Sequence, residues 1–356
     1  MKIGPYAVTI HAPAMAVYGL ADSLRVNLAG IPRLPGATPA DVAREALRRN
    51  AREVLHAGGG HFKYMWVSDF AKALRGAWTT LDHDYLRGLV VYMTEESARR
   101  GRVPSCFTAG HGFDMPWERG DGLPWLVHCW GLLGEAHPAL QELIDRYEAS
   151  HFEGGLVSPG VTGDWVDTIL RPSSTYNNVC ALHMLRVARA LGLRTLHDPA
   201  VMERSLLRSR MRADHLIDFA GSSTLSVDGA VYALYLDVFD SQISGRLIDG
   251  LEKSGLAEPF PIRCAPHESA RKPLLTRLTP AYHESIWLHL GLMYLNALKK
   301  RGFDVSARRA RVEELIMRHR QVLEAVDERG EPYRSLFLSC EHGLSMAAGQ
   351  YLELVS

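Results

Sequence analysis

Two alternations run through this chain in step, and together they leave few folds open. From residue 39 onward, apolar residues recur at helical spacing. The pattern predicts twelve helices near 39–57, 67–78, 83–100, 122–134, 137–150, 174–192, 198–213, 227–238, 240–255, 281–301, 305–325 and 338–353. Thr38-Pro39, Asp82, Asp198-Pro199 and Asp240-Ser241 supply helix-start chemistry, and Gly192 and Gly302 supply stops. The first alternation is in the connections: 58–66, 101–121, 151–173, 214–226, 256–280 and 326–337 are long, and the intervening ones are brief.

The second alternation is in composition. Odd-numbered helices carry charged stripes, as in VMERSLLRSRMRAD and RRARVEELIMRHR. Even-numbered ones, such as LPWLVHCWGLLG, AVYALYLDVF and IWLHLGLMYLNAL, are apolar nearly all round. A helix apolar on every side is buried on every side. The fold class expected is therefore all-α: an (α/α)6 toroid of six helical hairpins, with the even helices as an inner ring and the odd ones outside. Strict alternation of direction then gathers all six long loops on one rim, and long loops in compact domains are usually functional. Residues 38–356 read as one such catalytic domain, although 356 residues would allow two by length. Residues 1–37, broken by GIPRLPG, read as a short irregular, extended N-terminal segment.

Bulk chemistry narrows the partner. A formal net charge of +0 gives no electrostatic pull toward nucleic acid or an anionic membrane. No run of 18 apolar residues is present, and the N-terminus lacks the apolar core of a signal peptide. The five cysteines are scattered, odd in number and without CxxC spacing, which argues against a disulfide framework or zinc site. A cytoplasmic protein with no metal or other cofactor is expected, and nothing in the sequence speaks to oligomeric state.

The rim segments concentrate Trp, Asp, Glu and His. They hold His61 through Asp69 with Trp66, then Trp117 and Asp121, then Asp164-Trp165-Val166-Asp167 with Arg171. Tyr282-His283-Glu284 and Trp287 follow, and last Glu331-Pro332-Tyr333 and Glu341-His342. Taken singly, each Trp is ordinary core and an Asp ahead of a helix is ordinarily a cap. Together on one rim, aromatic faces and carboxylates suit a small carbohydrate. Glycosidic cleavage needs two carboxylates, and their separation decides retention or inversion. Asp164 or Asp167 in the third long loop and Glu331 in the sixth face each other in ring order.

Short blocks in order over residues 40–352 resemble the six-hairpin (α/α)6-barrel glycosidases: neutral and alkaline invertases, the amylo-1,6-glucosidase part of debranching enzymes, and the α-glucosidase and mannosylglycerate hydrolase group. HFKYMWVSDFAKAL resembles the block that places a Trp and an acidic sugar contact, here Trp66 and Asp69, with Ser68 where an Arg is usual. GRVPSCF and GDGLPWLVHCWG follow, the latter with Asp121 as a sugar contact. GDWVDTILRPSSTYNNVC resembles the block of the general acid, which favours Asp167 over Asp164; Asn177-Asn178 departs from it. TPAYHESIWLHLG has Ser285 at a common Gly, and GEPYRSLFLSCEHGLS has Glu331 matching the base and Leu344 at a usual Trp. The resemblance implies an inverting glycoside hydrolase acting on a small, glucoside-like substrate. It implies Asp167 as general acid and Glu331 as general base. Its implied sugar contacts are Trp66, Asp69, Asp121, Asp164, Trp165, Arg171, His283, Glu284, Trp287, Tyr333, Glu341 and His342.

Two other readings fit such a ring. Sugar 2-epimerases of the same architecture use His pairs, and His183, His283, His289 and His342 fall on inner helices or their mouths. A glycan-binding relative that has lost catalysis would explain Ser68, Asn177 and Leu344. A phosphorylase is disfavoured, since no Gly-rich phosphate cradle stands out. The basic runs at Lys299–Arg301 and Arg308–Arg311 read as a solvated face.

Overall fold

The structure, a computed structural model, describes residues 11–114, 119–166, 169–264, 282–335 and 338–356. Its helices are α1 (His11–Ala29), α2 (Pro39–Asn50), α3 (Val67–Ala77), α4 (His83–Arg100), α5 (Gly122–Leu133), α6 (Leu140–His151) and α7 (Thr175–Ala190). They continue with α8 (Pro199–Arg210), α9 (Val227–Tyr235), α10 (Ser241–Lys253), α11 (Leu288–Lys300), α12 (Ser306–His319) and α13 (Ser345–Val355).

The apolar helices form the inner ring. α3 packs on α5, α5 on α7, α7 on α9, α9 on α11, α11 on α13, and α13 returns to α3. The charged helices lie outside: α2 against α13, α4 and α6 against α5, α8 against α7, α10 against α9, and α12 against α11 and α2. One continuous core of buried side chains runs through all of them. The all-α toroid follows from the sequence pattern as expected. No helix among the described residues is long and apolar enough to cross a membrane.

Outer helices are capped by their own side chains. Thr38 and Asp41 form a capping box at α2, and Asp82, Asp198 and Asp240 accept backbone N–H groups at α4, α8 and α10. The inner helices α3, α5, α9, α11 and α13 have no side-chain cap, and their N-termini open onto the rim. There the long loops pair as two-residue strands. β1 (Met65–Trp66), β2 (Cys106–Phe107) and β3 (Gly112–Phe113) make one antiparallel sheet, β4 (Phe152–Glu153) pairs with β5 (Leu156–Val157), and β6 (Ile286–Trp287) with β7 (Ala325–Val326).

The N-terminal expectation is corrected. Residues 11–29 form a helix, not an extended segment. Its amphipathicity is inverted, which hides it from an apolar-periodicity reading: Val17, Leu20, Leu24 and Leu28 face outward. The side carrying Ser23 and Val26 docks instead, both fully buried, with Ser23 donating to Ser339 and Asn27 donating to the Ser335 carbonyl. Several helix ends are also trimmed, among them that of α2, which ends at Asn50 rather than near residue 57. α11 starts at Leu288, α12 ends at His319 ahead of left-handed Arg320, and α13 starts at Ser345, because the flanking residues join the rim strands and turns.

The ring closes where α3 and α13 come within backbone contact. A side chain at Gly76 would strike the Gly349 carbonyl, and one at Gly349 would strike the backbone of Ala73. Gly88 on α4 has open space around its Cα. Gly76→Ala is therefore expected to cost about 1–3 kcal/mol by overpacking, while Gly88→Ala gains about 0.5–1 kcal/mol from helix propensity. Urea unfolding followed by circular dichroism checks both; equal effects would contradict the closure.

Candidate active site

At the centre of the rim lies a cavity of about 610 Å³, mouth included, lined by Phe62, Trp66, Asp69, Lys72, Arg119, Trp165, Val166, Tyr282, Trp287, Glu324 and Met346. The sequence places its walls through local structure. Trp66 and Trp287 each end a two-residue strand and begin an inner helix, at α3 and α11. Trp165 stands perpendicular to Trp287 with ring centroids 5.1 Å apart, and Tyr282 meets Trp287 at 4.8 Å. Buried Trp66 and Trp287 keep indole N–H groups with no hydrogen-bond partner among the described residues. Such donors are costly to leave unmet and ready for a ligand oxygen.

Glu324 is the carboxylate built into this wall. It is 4% exposed. Its backbone N–H donates to the Glu341 carbonyl at 3.0 Å and its carbonyl accepts from Leu288, so the β6–β7 pairing fixes its position. Its Oε2 accepts the Glu341 backbone N–H at 2.8 Å, and the Tyr282 phenol bonds to the carboxyl group. Burial, opposed by those hydrogen bonds and reinforced by the Glu341 charge, pushes its pKa up to about 7. A carboxyl poised there exchanges a proton near neutral pH. Sequence reasoning missed it because the helical periodicity carries through residue 325.

Glu331, seven residues further, is not in the cavity. The chain turns at Asp327, whose carboxylate accepts the N–H groups of Arg329 and Glu331, and Gly330 is left-handed. That turn swings Glu331 to the outside, where its side chain is 59% exposed beside Arg318. The assignment of Glu331 as base is corrected on this ground. Asp167 lies outside the described residues; its neighbours Trp165 and Val166 line the cavity.

The other expected contacts divide by location. Trp66, Asp69, Trp165 and Trp287 line the cavity. Tyr333 meets Tyr282 at a tilt of 52°, with ring centroids 4.9 Å apart, behind the wall. Asp121 holds Arg119 bidentately at 3.0 Å and accepts from the Tyr176 phenol, while Arg119 lies over the Trp66 ring. Asp121 is thus a fixed anchor beside the cavity. Glu284 is half-buried on the Tyr282–Glu284 turn and does not line the cavity, and His283 occupies the middle of that turn.

Three expected sugar contacts are instead structural. Arg171 is fully buried and paired with Asp164 at 2.8 Å, Asp218 at 2.9 Å and Asp228 at 2.7 Å. Asp228 also accepts the Trp165 indole N–H at 2.8 Å, so this cluster hangs Trp165 in the cavity wall. Asp164 is raised above the usual carboxylate range by burial, against the pull of Arg171. Glu341 accepts backbone N–H groups of Gly60, His61 and Phe62, tying the first long loop to the sixth. His342 lies in a separate cleft under α1, 3.0 Å from Arg25.

Among the described residues, the remaining histidines do not assemble a proton-transfer pair at this rim. His183 bonds His128 at 2.9 Å, and both line a cleft with Arg75 and Glu353 away from the cavity. His289 is fully buried behind the wall, in edge contact with Trp165 and Trp287.

No family model matches the sequence, and no curated protein matches it. Solved structures do. A wild-type glycosidase superposes with a TM-score of 0.64 at 15% identity, covering 89% of this chain and 95% of that one. The chain has the six-hairpin glycosidase fold. The GH63 mannosylglycerate hydrolase from Thermus thermophilus, solved with Tris, gives 0.61 at 14% identity over 89% of this chain and 100% of that one. The GH78 rhamnosidase of a Bacillus species gives 0.62 at 14% identity, with this chain spanning 34% of its length.

The raised Glu324 pKa carries a stability consequence. Between the ordinary Glu value of 4.5 and about 7, the folded state binds a proton that the unfolded state has lost. Stability therefore falls as pH rises through that window, by on the order of 3 kcal/mol in total. Glu324→Gln removes this term. Its Tm, relative to the unaltered protein, is expected to rise from about pH 4.5 to about pH 8; a pH-independent difference would contradict the burial argument.

Proposed function

We propose that this protein hydrolyses a small soluble glycoside, seating its terminal sugar in the rim cavity, with Glu324 as general base. The observation that carries the reading is one carboxyl, buried and poised near pH 7, in a cavity walled by Trp66, Trp165 and Trp287. Aromatic faces stack on the sugar ring, and the two unmet indole N–H groups donate to its oxygens. The likeness to solved glycosidases supports the same reading. The cavity is closed below by buried Trp125, Tyr176, Tyr232 and His289, so a sugar enters it end-on. That geometry suits removal of a terminal residue from a short glycoside.

In this mechanism, ionised Glu324 takes a proton from water as the water oxygen bonds to the anomeric carbon. Asp167 gives its proton to the leaving oxygen as the glycosidic bond breaks, and the product emerges with inverted configuration. Tyr282 and the Glu341 N–H orient Glu324, and the Arg171 cluster holds the stretch of chain leading to Asp167.

The test is a screen of glucosides, mannosides and rhamnosides with anomeric detection by proton NMR. The first product is expected to have the opposite anomeric configuration to the substrate. Glu324→Gln should lower kcat at least about 100-fold, with kcat/KM of the unaltered protein rising as pH passes about 7, while Glu331→Gln leaves kcat within about twofold. Loss of activity in Glu331→Gln with retention in Glu324→Gln would overturn the assignment. Absence of hydrolysis across the whole panel would overturn the function.

A further inference from the structure

Lys72 lies one helical turn below Asp69 on α3, at the floor of the cavity. It is 1% exposed, and its ammonium has no hydrogen-bond partner among the described residues. Three aromatic faces surround it: Tyr232 at 5.1 Å, Trp125 at 5.3 Å and Tyr176 at 6.0 Å from Nζ to ring centroid. Those rings attract a cation but accept none of its three N–H bonds in the manner of an oxygen. Behind it, His289 has neither ring nitrogen paired among the described residues, and is held neutral by burial and by the Lys72 charge.

Asp69 faces the same space. Ser68 donates to its Oδ1 at 3.3 Å, and its carboxyl lines the cavity. Residues three apart on a helix with opposite charges ordinarily pair. In a low-dielectric interior the incentive is greater. Here burial pushes the Lys72 amine below and the Asp69 carboxyl above their ordinary values, each opposed by the other's charge, and Lys72 makes no ion pair with Asp69. The two groups line the same cavity without meeting each other. An interior ammonium with unmet protons beside a carboxylate with a free face is a donor–acceptor gap of the kind a hydroxyl fills, since its oxygen accepts while its hydrogen is donated.

We propose that Lys72 and Asp69 form a clamp for one hydroxyl of the bound terminal sugar, at the end of its ring remote from the anomeric carbon, and that Lys72 determines which sugars bind. The sugar oxygen accepts from Nζ of Lys72 and its proton is donated to Asp69. This rests on the rim cavity being the sugar site of the proposed hydrolase. It adds the substrate class: glycosides whose terminal sugar carries a free hydroxyl at that position.

The test measures binding of D-glucose, D-mannose and D-galactose through fluorescence of the cavity tryptophans and by calorimetry, then of the 3-, 4- and 6-deoxy forms of whichever binds. Lys72→Met keeps the length and replaces a buried charge by an apolar chain, and Lys72→Arg retains the charge as a second variant. Lys72→Met is expected to weaken binding at least about tenfold. One deoxy form should weaken binding to the unaltered protein by a similar factor and lose no further affinity in Lys72→Met. Affinity of Lys72→Met within about twofold of the unaltered protein overturns the clamp, as does an unchanged deoxy penalty at every position. Failure of all three sugars to bind the unaltered protein overturns it too. Hydrolysis that Glu324→Gln removes, with Lys72→Met binding normally, leaves the hydrolase standing and the clamp refuted. Lys72-dependent binding without hydrolysis of any glycoside does the reverse.

Discussion

Closure of the inner ring is the constraint from which everything else in this molecule follows. Six apolar helices can bury all their sides only if the last returns to the first, and α13 reaches α3 because Gly76 and Gly349 remove the side chains between them. The seam is reinforced by buried polar contacts: the Gln350 amide donates to the Lys72 carbonyl at 2.6 Å, and Asn296 donates to the Gln350 side chain and carbonyl at 2.9 Å. Once the ring is closed, the inner helices run in one direction. Their N-termini, all but that of α7 without a side-chain cap, share one mouth.

A rim made of loops must satisfy many backbone groups without helix or sheet ladders. The protein meets this with buried carboxylates. Glu341 collects N–H groups of the first loop, while Asp164, Asp218 and Asp228 converge on Arg171. Asp121 fixes Arg119 and Tyr176. Each is a charge whose burial is compensated by a specific partner, as interior ions require. Glu324 has no cationic partner, only hydrogen bonds from Tyr282 and the Glu341 N–H, and its pKa moves to about 7. Lys72 is a second exception, with aromatic faces but no hydrogen-bond acceptor among the described residues. Groups left incompletely satisfied in a closed cavity are where ligand chemistry is expected.

The ring was legible in the sequence because loop length and helix composition report the same hairpin repeat through different physics. The site was legible only in outline. Trp66, Asp69, Trp165 and Trp287 could be placed, since they fall in rim segments that lead into inner helices. Asp164, Arg171 and Glu341 could not be told from sugar contacts, because an acidic or basic residue looks the same in sequence whether it faces a ligand or a buried partner. Glu331 and Glu324 differ by a single turn of chain around Asp327, and periodicity carries no information about which side of that turn faces inward. Helix α1 escaped for a related reason: its buried face holds Ser23 beside Val26, and its apolar stripe of Val17, Leu20, Leu24 and Leu28 points outward.

The most direct test of the central claim, that the rim cavity is the sugar site, is a crystal structure of Glu324→Gln soaked with the glycoside panel. The expected result is a sugar ring between Trp66, Trp165 and Trp287, with its anomeric carbon toward the substituted position 324 and a hydroxyl toward Asp69 and Lys72. A sugar bound instead in the cleft beneath α1, beside Arg25 and His342, with the rim cavity empty, would contradict it.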